Sequence, residues 1–161
     1  MVRAVASPGH SRRKTSSPSF RYTVDASVFV NAFNAHERGH AWSLKILSLI
    51  QQRADPIIAP TLLVAEIASA VARATDDSLG ALQYANATAA LPNVTLVGLT
   101  PTMARRAAEL AARYRLRGAD AVYLAVALRY ATTLISRDEE QMSRGSRITT
   151  CLTPEEALPR T

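Results

Sequence analysis

The chain is poor in cysteine and lysine, and each scarcity removes a class of chemistry. Cys151 is the only cysteine, so neither an intrachain disulfide nor a cysteine-ligated zinc site can form. A reducing, cytoplasmic setting is the expectation. Lysine occurs only at Lys14 and Lys45. There is no G-x-x-x-x-G-K-[ST], which removes a P-loop nucleotide site. Neither lysine stands beside a strand end, which counts against a phosphate-accepting receiver domain. No serine sits in G-x-S-x-G, so a nucleophile elbow is missing. No apolar run approaches the ~20 residues of a membrane span. The basic N-terminal residues are not followed by the apolar stretch of a secretory signal.

What is present suits a single folded domain. A length of 161 residues with 48% apolar content is enough to bury a core without staples. The formal charge of +6 is unevenly placed, because Arg3, Arg12, Arg13 and Lys14 fall in residues 1–20, where there is no acid. From Arg21 onward, 15 basic residues face 13 acidic ones. The high isoelectric point therefore belongs largely to the N-terminal segment. Residues 1–20 are rich in Ser, Pro and Arg and lack an apolar period, so a disordered basic tail is expected there. An RNA-contacting arm or a start codon assigned too far upstream are the alternatives. The folded domain then spans residues 21–161.

Strands and helices alternate along that domain. Short apolar runs at 21–26, 57–59, 94–97 and 132–135 read as strands, and 148–151 as a fifth, at an edge. Between them, helical spacing runs over 27–33, 37–53 (with Trp42, Ile46, Leu49 and Ile50 on one face), 61–74, 78–90, 102–114 and 119–130. The last of these is apolar nearly all round and is expected to be buried. Pro60 suits a helix first turn, Thr100 is a candidate N-cap, and Ser136-Arg-Asp-Glu139 matches a capping box. The alternation implies an α/β fold, a three-layer α/β/α sandwich around a parallel sheet of four to five strands. There is no internal repeat.

Four acids are distinguished by their neighbours. Asp25 ends the first strand, where parallel sheets gather ligands, although taken alone it is better explained as a helix N-cap. Glu66 is the one charge in Leu62-Leu-Val-Ala-Glu-Ile-Ala-Ser-Ala70, yet it shares a helical face with Ser69 and Arg73 that a solvent stripe would also produce. Asp120 opens the buried helix, where the helix dipole favours an acid in any case. Asp138 follows the fourth strand, in a first turn where acids are common. None is specific alone.

Taken together, their order resembles the PIN-domain ribonucleases, and most closely the VapC-like toxins of bacterial toxin–antitoxin pairs. The resemblance runs from Tyr22 to Leu158. It is carried by Val24-Asp-Ala-Ser27, Ala65-Glu-Ile67, Gly118-Ala-Asp-Ala-Val-Tyr-Leu-Ala125 and Leu134-Ile-Ser-Arg-Asp138, of which the third is the most distinctive. It implies sheet order 3-2-1-4-5 and metal-binding acids at Asp25, Glu66, Asp120 and Asp138, with the family's polar residue at Ser136. The implied activity is metal-dependent RNA hydrolysis. The implied partners are an RNA substrate, a small antitoxin and a second copy in a homodimer. The basic tail has no counterpart in the family pattern.

The chemistry is consistent with that resemblance. Two like charges ~4 Å apart repel by roughly 4 kcal/mol at an effective dielectric near 20, so clustered carboxylates call for a cation or for protons. Oxygen donors favour Mg²⁺ or Mn²⁺ over zinc. Arg105, Arg106, Arg113, Arg115 and Arg117 lead up to Asp120. Arg115 and Arg117 are the candidates for RNA phosphate contacts. The bland alternative is a solvated helix face with Glu109 and Arg113 paired. Two other readings compete: a PIN fold that binds RNA or a partner without cutting, and a zinc peptidase through His36-Glu37-x-x-His40. Gly39 weakens the helix that the zinc motif needs. Deleting residues 2–19 should leave folding intact, and a large fall in melting temperature would contradict the disordered-tail expectation.

Overall fold

A computed structural model describes residues 20–159. The basic tail expected over 1–20 lies outside the described residues except for Phe20. The ordered chain runs β1 (Tyr22–Val24), α1 (Ala26–Phe33), α2 (His40–Gln52), β2 (Ile57–Pro60), α3 (Leu62–Thr75), α4 (Ser78–Ala89), β3 (Val94–Val97) and α5 (Pro101–Tyr114). It continues with α6 (Gly118–Tyr130), β4 (Thr133–Ile135), α7 (Glu139–Gly145) and β5 (Cys151–Leu152). The five strands form one sheet in the order β3-β2-β1-β4-β5, every pairing is parallel, and helices flank it in a three-layer α/β/α arrangement. No described helix is long and apolar enough to cross a membrane.

Parallel strands covered on both faces must be apolar on both, and β1 is buried at every residue. Its neighbour β4 pairs in the register Tyr22↔Thr133, Thr23↔Leu134 and Val24↔Ile135. Leaving β1, the chain turns toward β2, while β4 lies on the other side. The loops therefore diverge and open a crevice beyond the carboxyl ends of both strands. The last rung is the Asp25 N–H donating to Ile135 O at 2.9 Å. Asp25 thus has its backbone in the sheet and its side chain just past it.

The rest of the architecture steadies that crevice. Asp120 through Ala127 of α6 are buried without a break, as the nearly all-apolar run leads one to expect. Thr23 Oγ1 makes a buried 2.6 Å contact with Thr132 Oγ1 and donates to Ile58 O at 2.8 Å, satisfying hydroxyls that would otherwise be costly in the core. Thr100 caps α5, accepting from Met103 N at 3.2 Å, with Pro101 at the first helical position.

Several boundaries and contacts differ from the sequence expectation, each for a local reason. Helix α2 begins at His40 rather than at residue 37, because Gly39 takes a left-handed φ of 82° that halts the helix. Trp42, expected on the buried stripe, is 42% exposed. Pro60 closes β2, and Thr61 precedes α3. The edge strand falls at Cys151–Leu152 rather than at 148–151, where it pairs with Leu134 and Ile135. Glu109 pairs with Arg106 at 2.9 Å and not with Arg113.

Leu134 is fully buried in β4, one of the two strands that frame the crevice. Leu134→Ala should cost about 2–5 kcal/mol, lowering the melting temperature by roughly 2–4 °C per kcal/mol for a domain of this size. A change under 1 °C in a thermal melt would contradict the packing described.

Candidate active site

Each sequence-predicted acid is positioned by a local structural rule, and all four line one cleft. Asp25 is the N-cap of α1, its Oδ2 accepting from Ser27 N at 2.9 Å. Capping and a place in the cleft therefore coexist. Asp138 is the N-cap of α7, its Oδ1 accepting from Gln141 N at 2.8 Å. This corrects the expected capping box, in which Ser136 held that position. Ser136 is fully buried, and its Oγ accepts from Asp138 N at 3.0 Å. Ser136 therefore fixes the turn from behind and does not line the cleft.

The two strand-end turns are tied together across the switch point by Arg137 N donating to Ser27 Oγ at 3.1 Å. From the helices come Asp120, in the first turn of α6, and Glu66, in the second turn of α3. Glu66 Oε2 accepts from the Tyr123 hydroxyl at 2.7 Å. The cleft measures about 660 Å³ and is lined by Asp25, Glu66, Asp120 and Asp138 together with Ser27, Ser69, Arg73 and Arg117. The face that Glu66 shares with Ser69 and Arg73 is thus the cleft wall.

The carboxylates sense one another. Burial pushes the Asp25 carboxyl above its ordinary range, hydrogen bonds from Ser27 oppose it, and the charge of Asp138 adds to it. Glu66 is raised by burial, partly relieved by the Tyr123 hydrogen bond, with Asp25 adding to the rise. Asp120 is pushed up to about 6, by burial first and then by Asp138 and Asp25, while Arg117 pulls the other way. One oxygen of this side chain, Oδ2, is buried with no hydrogen-bond partner among the described residues. Tyr123 is raised by burial and then by Asp25 and Glu66, so its phenol stays protonated and serves as a donor.

An all-oxygen donor set with an orphaned buried carboxylate oxygen fits a hard divalent cation. Among the described residues, no three His, Cys, Asp or Glu side chains are gathered tightly enough to ligate one ion directly. The acids share a cleft without forming a closed shell. The fit is therefore to an ion that keeps part of its water, as Mg²⁺ commonly does.

The arginines divide. Arg117 lines the cleft and lies 3.5 Å from Asp138 and 3.6 Å from Glu140. Arg115 is the left-handed C-cap of α5 and does not line the cleft; its carbonyl accepts from Arg144. The H-E-x-x-H stretch is not helical. His36 lies in a turn, Gly39 breaks the backbone, and only His40 enters α2. Glu37 accepts from the side-chain amides of Asn31 and Asn34, so the zinc-peptidase geometry is absent here.

Sequence reasoning missed Tyr123 and Gln141. Tyr123 stands three residues after Asp120, one helical turn along the same face, and that spacing could have signalled it. Gln141 is fully buried, and its amide donates weakly to Asp120 O at 3.4 Å. Nothing in its neighbours distinguishes it from a surface glutamine.

A parallel α/β/α domain with acids at the carboxyl ends of its two central strands defines the class. The family model of the PIN domain matches residues 22–146, and the chain belongs to the PIN-domain family. No curated protein matches the sequence significantly. Among solved structures, it is similar to VapC20 of Mycobacterium tuberculosis, a Sarcin-Ricin loop cleaving toxin. The identity is 17% and the TM-score 0.66, covering 78% of this chain and 95% of that one. It is also similar to a toxin–antitoxin complex from Klebsiella pneumoniae, at 20% identity and TM-score 0.61, over 86% and 99% of the two chains. VapBC2 from Rickettsia felis, bound to a DNA fragment from its promoter, matches at 13% identity and TM-score 0.62, over 83% and 98%.

Because the folded protein holds the Asp120 proton up to about 6, it binds more protons than the unfolded chain between the ordinary carboxylate range and that value. The stability of the metal-free protein should therefore fall as pH rises through this window. Asp120→Asn should flatten that part of the profile and raise the melting temperature at pH 7.5. Thermal melts from pH 4 to 8 check this, and a stability that climbs through the window in the wild type would contradict it.

Proposed function

We propose that this chain is a metal-dependent ribonuclease, the toxin of a toxin–antitoxin pair. The observation that carries the reading is the gathering of Asp25, Glu66, Asp120 and Asp138 around one cleft, with Asp120 raised by burial and then by the charges of its neighbours. A divalent ion, Mg²⁺ with Mn²⁺ as substitute, would supply a lowered pKa for a bound water and neutralise charge on the attacked phosphate. Asp25, Asp120 and Asp138 hold it, directly or through water. Glu66 orients the attacking water or a second ion. Ser136 keeps the Asp138 turn in place.

An acidic cleft repels a polyanion, so the substrate needs cations at its rim. Arg117 and Arg73 stand in the cleft wall and are suited to phosphates either side of the scissile bond. Arg115, once paired with Arg117 as a candidate, has the weaker claim from its position. The partners are an RNA substrate, an antitoxin that covers the cleft or its rim, and a second copy in a homodimer. Similarity to solved toxins and toxin–antitoxin complexes supports this assignment, as does membership of the PIN-domain family.

One observation favours a second reading, a PIN fold that binds RNA or protein without cutting. The acids do not close into a direct three-ligand site. Cleavage assays on structured RNA with and without Mg²⁺ separate the two. Wild type should cut only with the ion, and Asp25→Ala and Asp138→Ala should not cut measurably. Arg117→Ala should raise the RNA KM and reduce the salt dependence of binding by about one unit of slope. Full activity in Asp25→Ala would overturn the nuclease reading.

A further inference from the structure

Tyr123 has no place in the scheme so far, yet it joins two of the helices around the cleft, α6 and α3. It is fully buried on α6, one turn beyond Asp120. Its hydroxyl donates to Glu66 Oε2 on α3 at 2.7 Å. The contact thus runs from a rigid aromatic ring packed in the core to the carboxylate of α3. Among the described residues, no other side chain hydrogen-bonds Glu66.

We propose that Tyr123 is a positioning residue for Glu66. Its hydroxyl occupies Oε2 and leaves Oε1 as the acceptor offered to the ion or its water. This rests on the nuclease reading above and adds to it a source for the orientation of Glu66. A glutamate side chain has three rotatable bonds, and in a half-open cleft it would sample many positions. A hydrogen bond from a ring packed in the core restricts it to few. Partners that orient a ligand in this way are typically worth 10–100-fold in metal affinity.

The test is Mn²⁺ binding by the full chain, followed by electron paramagnetic resonance or calorimetry, in wild type, Tyr123→Phe, Glu66→Ala and the double variant. The phenylalanine keeps the ring and its packing, and circular dichroism with a thermal melt checks the fold. Tyr123→Phe should weaken Mn²⁺ by roughly tenfold or more. In cleavage, the half-saturating Mn²⁺ concentration should rise by more than kcat falls. In the Glu66→Ala background the same change should have no further effect on Mn²⁺ affinity, since a positioning role has nothing left to position. Should Tyr123→Phe fail to fold, binding by Tyr123→Trp and Tyr123→His against Glu66→Ala decides by the same non-additivity. Unchanged affinity in Tyr123→Phe with intact wild-type binding, or equal losses in both backgrounds, would overturn this inference alone. A wild type that bound no Mn²⁺ would overturn it together with the nuclease reading.

Discussion

The constraint on which the structure depends is the mutual repulsion of carboxylates placed at one end of a parallel sheet. Asp25 and Asp120 are each only 8% exposed; beyond burial, Asp25 is raised by the charge of Asp138, Glu66 by that of Asp25, and Asp120 by those of Asp138, Asp25 and Glu66. Within the cleft, Arg117 beside Asp138 offsets only part of this repulsion. Each acid is held by something outside it: Asp25 by the sheet rung to Ile135 and the α1 cap, Asp138 by the α7 cap, Asp120 by the buried α6, Glu66 by Tyr123. The apolar core supplies the stability that makes this arrangement tolerable, and a cation or protons relieve it. On the proposed reading, that relief is a divalent ion.

The placement of positive charge follows the same logic. Arg117 sits against Asp138 and Glu140 with most of its side chain in solvent. It softens the repulsion without neutralising it, because an exposed pair is screened and weak. Arg73 also lines the cleft, on the helix that carries Glu66. A polyanion approaching the cleft would therefore meet guanidinium groups at the rim before carboxylates at the floor. From Arg21 onward, basic and acidic residues nearly balance, 15 against 13, so the proposed RNA contacts rest on local placement and not on net charge.

Much of this was legible in the residues. The alternation of strands with helices pointed to a parallel sheet, and the resemblance carried by the settings of Asp25 and Asp120 implied the sheet order that the structure has. Other features were not legible because they depend on what faces a surface. Helical spacing placed Glu66, Ser69 and Arg73 on one face, but periodicity does not say whether that face meets water or a cleft. Trp42 has the spacing of a core residue and the exposure of a surface one. Ser136 and Asp138 both fit an N-cap, and only the burial of Ser136 decides between them. Gln141 is a polar side chain sealed beneath the site, and no local pattern marks such a residue.

The account's central claim is that these four carboxylates form one cation site. Anomalous diffraction from crystals of the protein grown with Mn²⁺ tests it most directly. The account predicts a peak in the cleft, with oxygens of Asp25, Asp120 and Asp138 bound to the ion directly or through one water. A cleft that stays free of Mn²⁺ at millimolar concentration, or an ion bound only elsewhere, would contradict it.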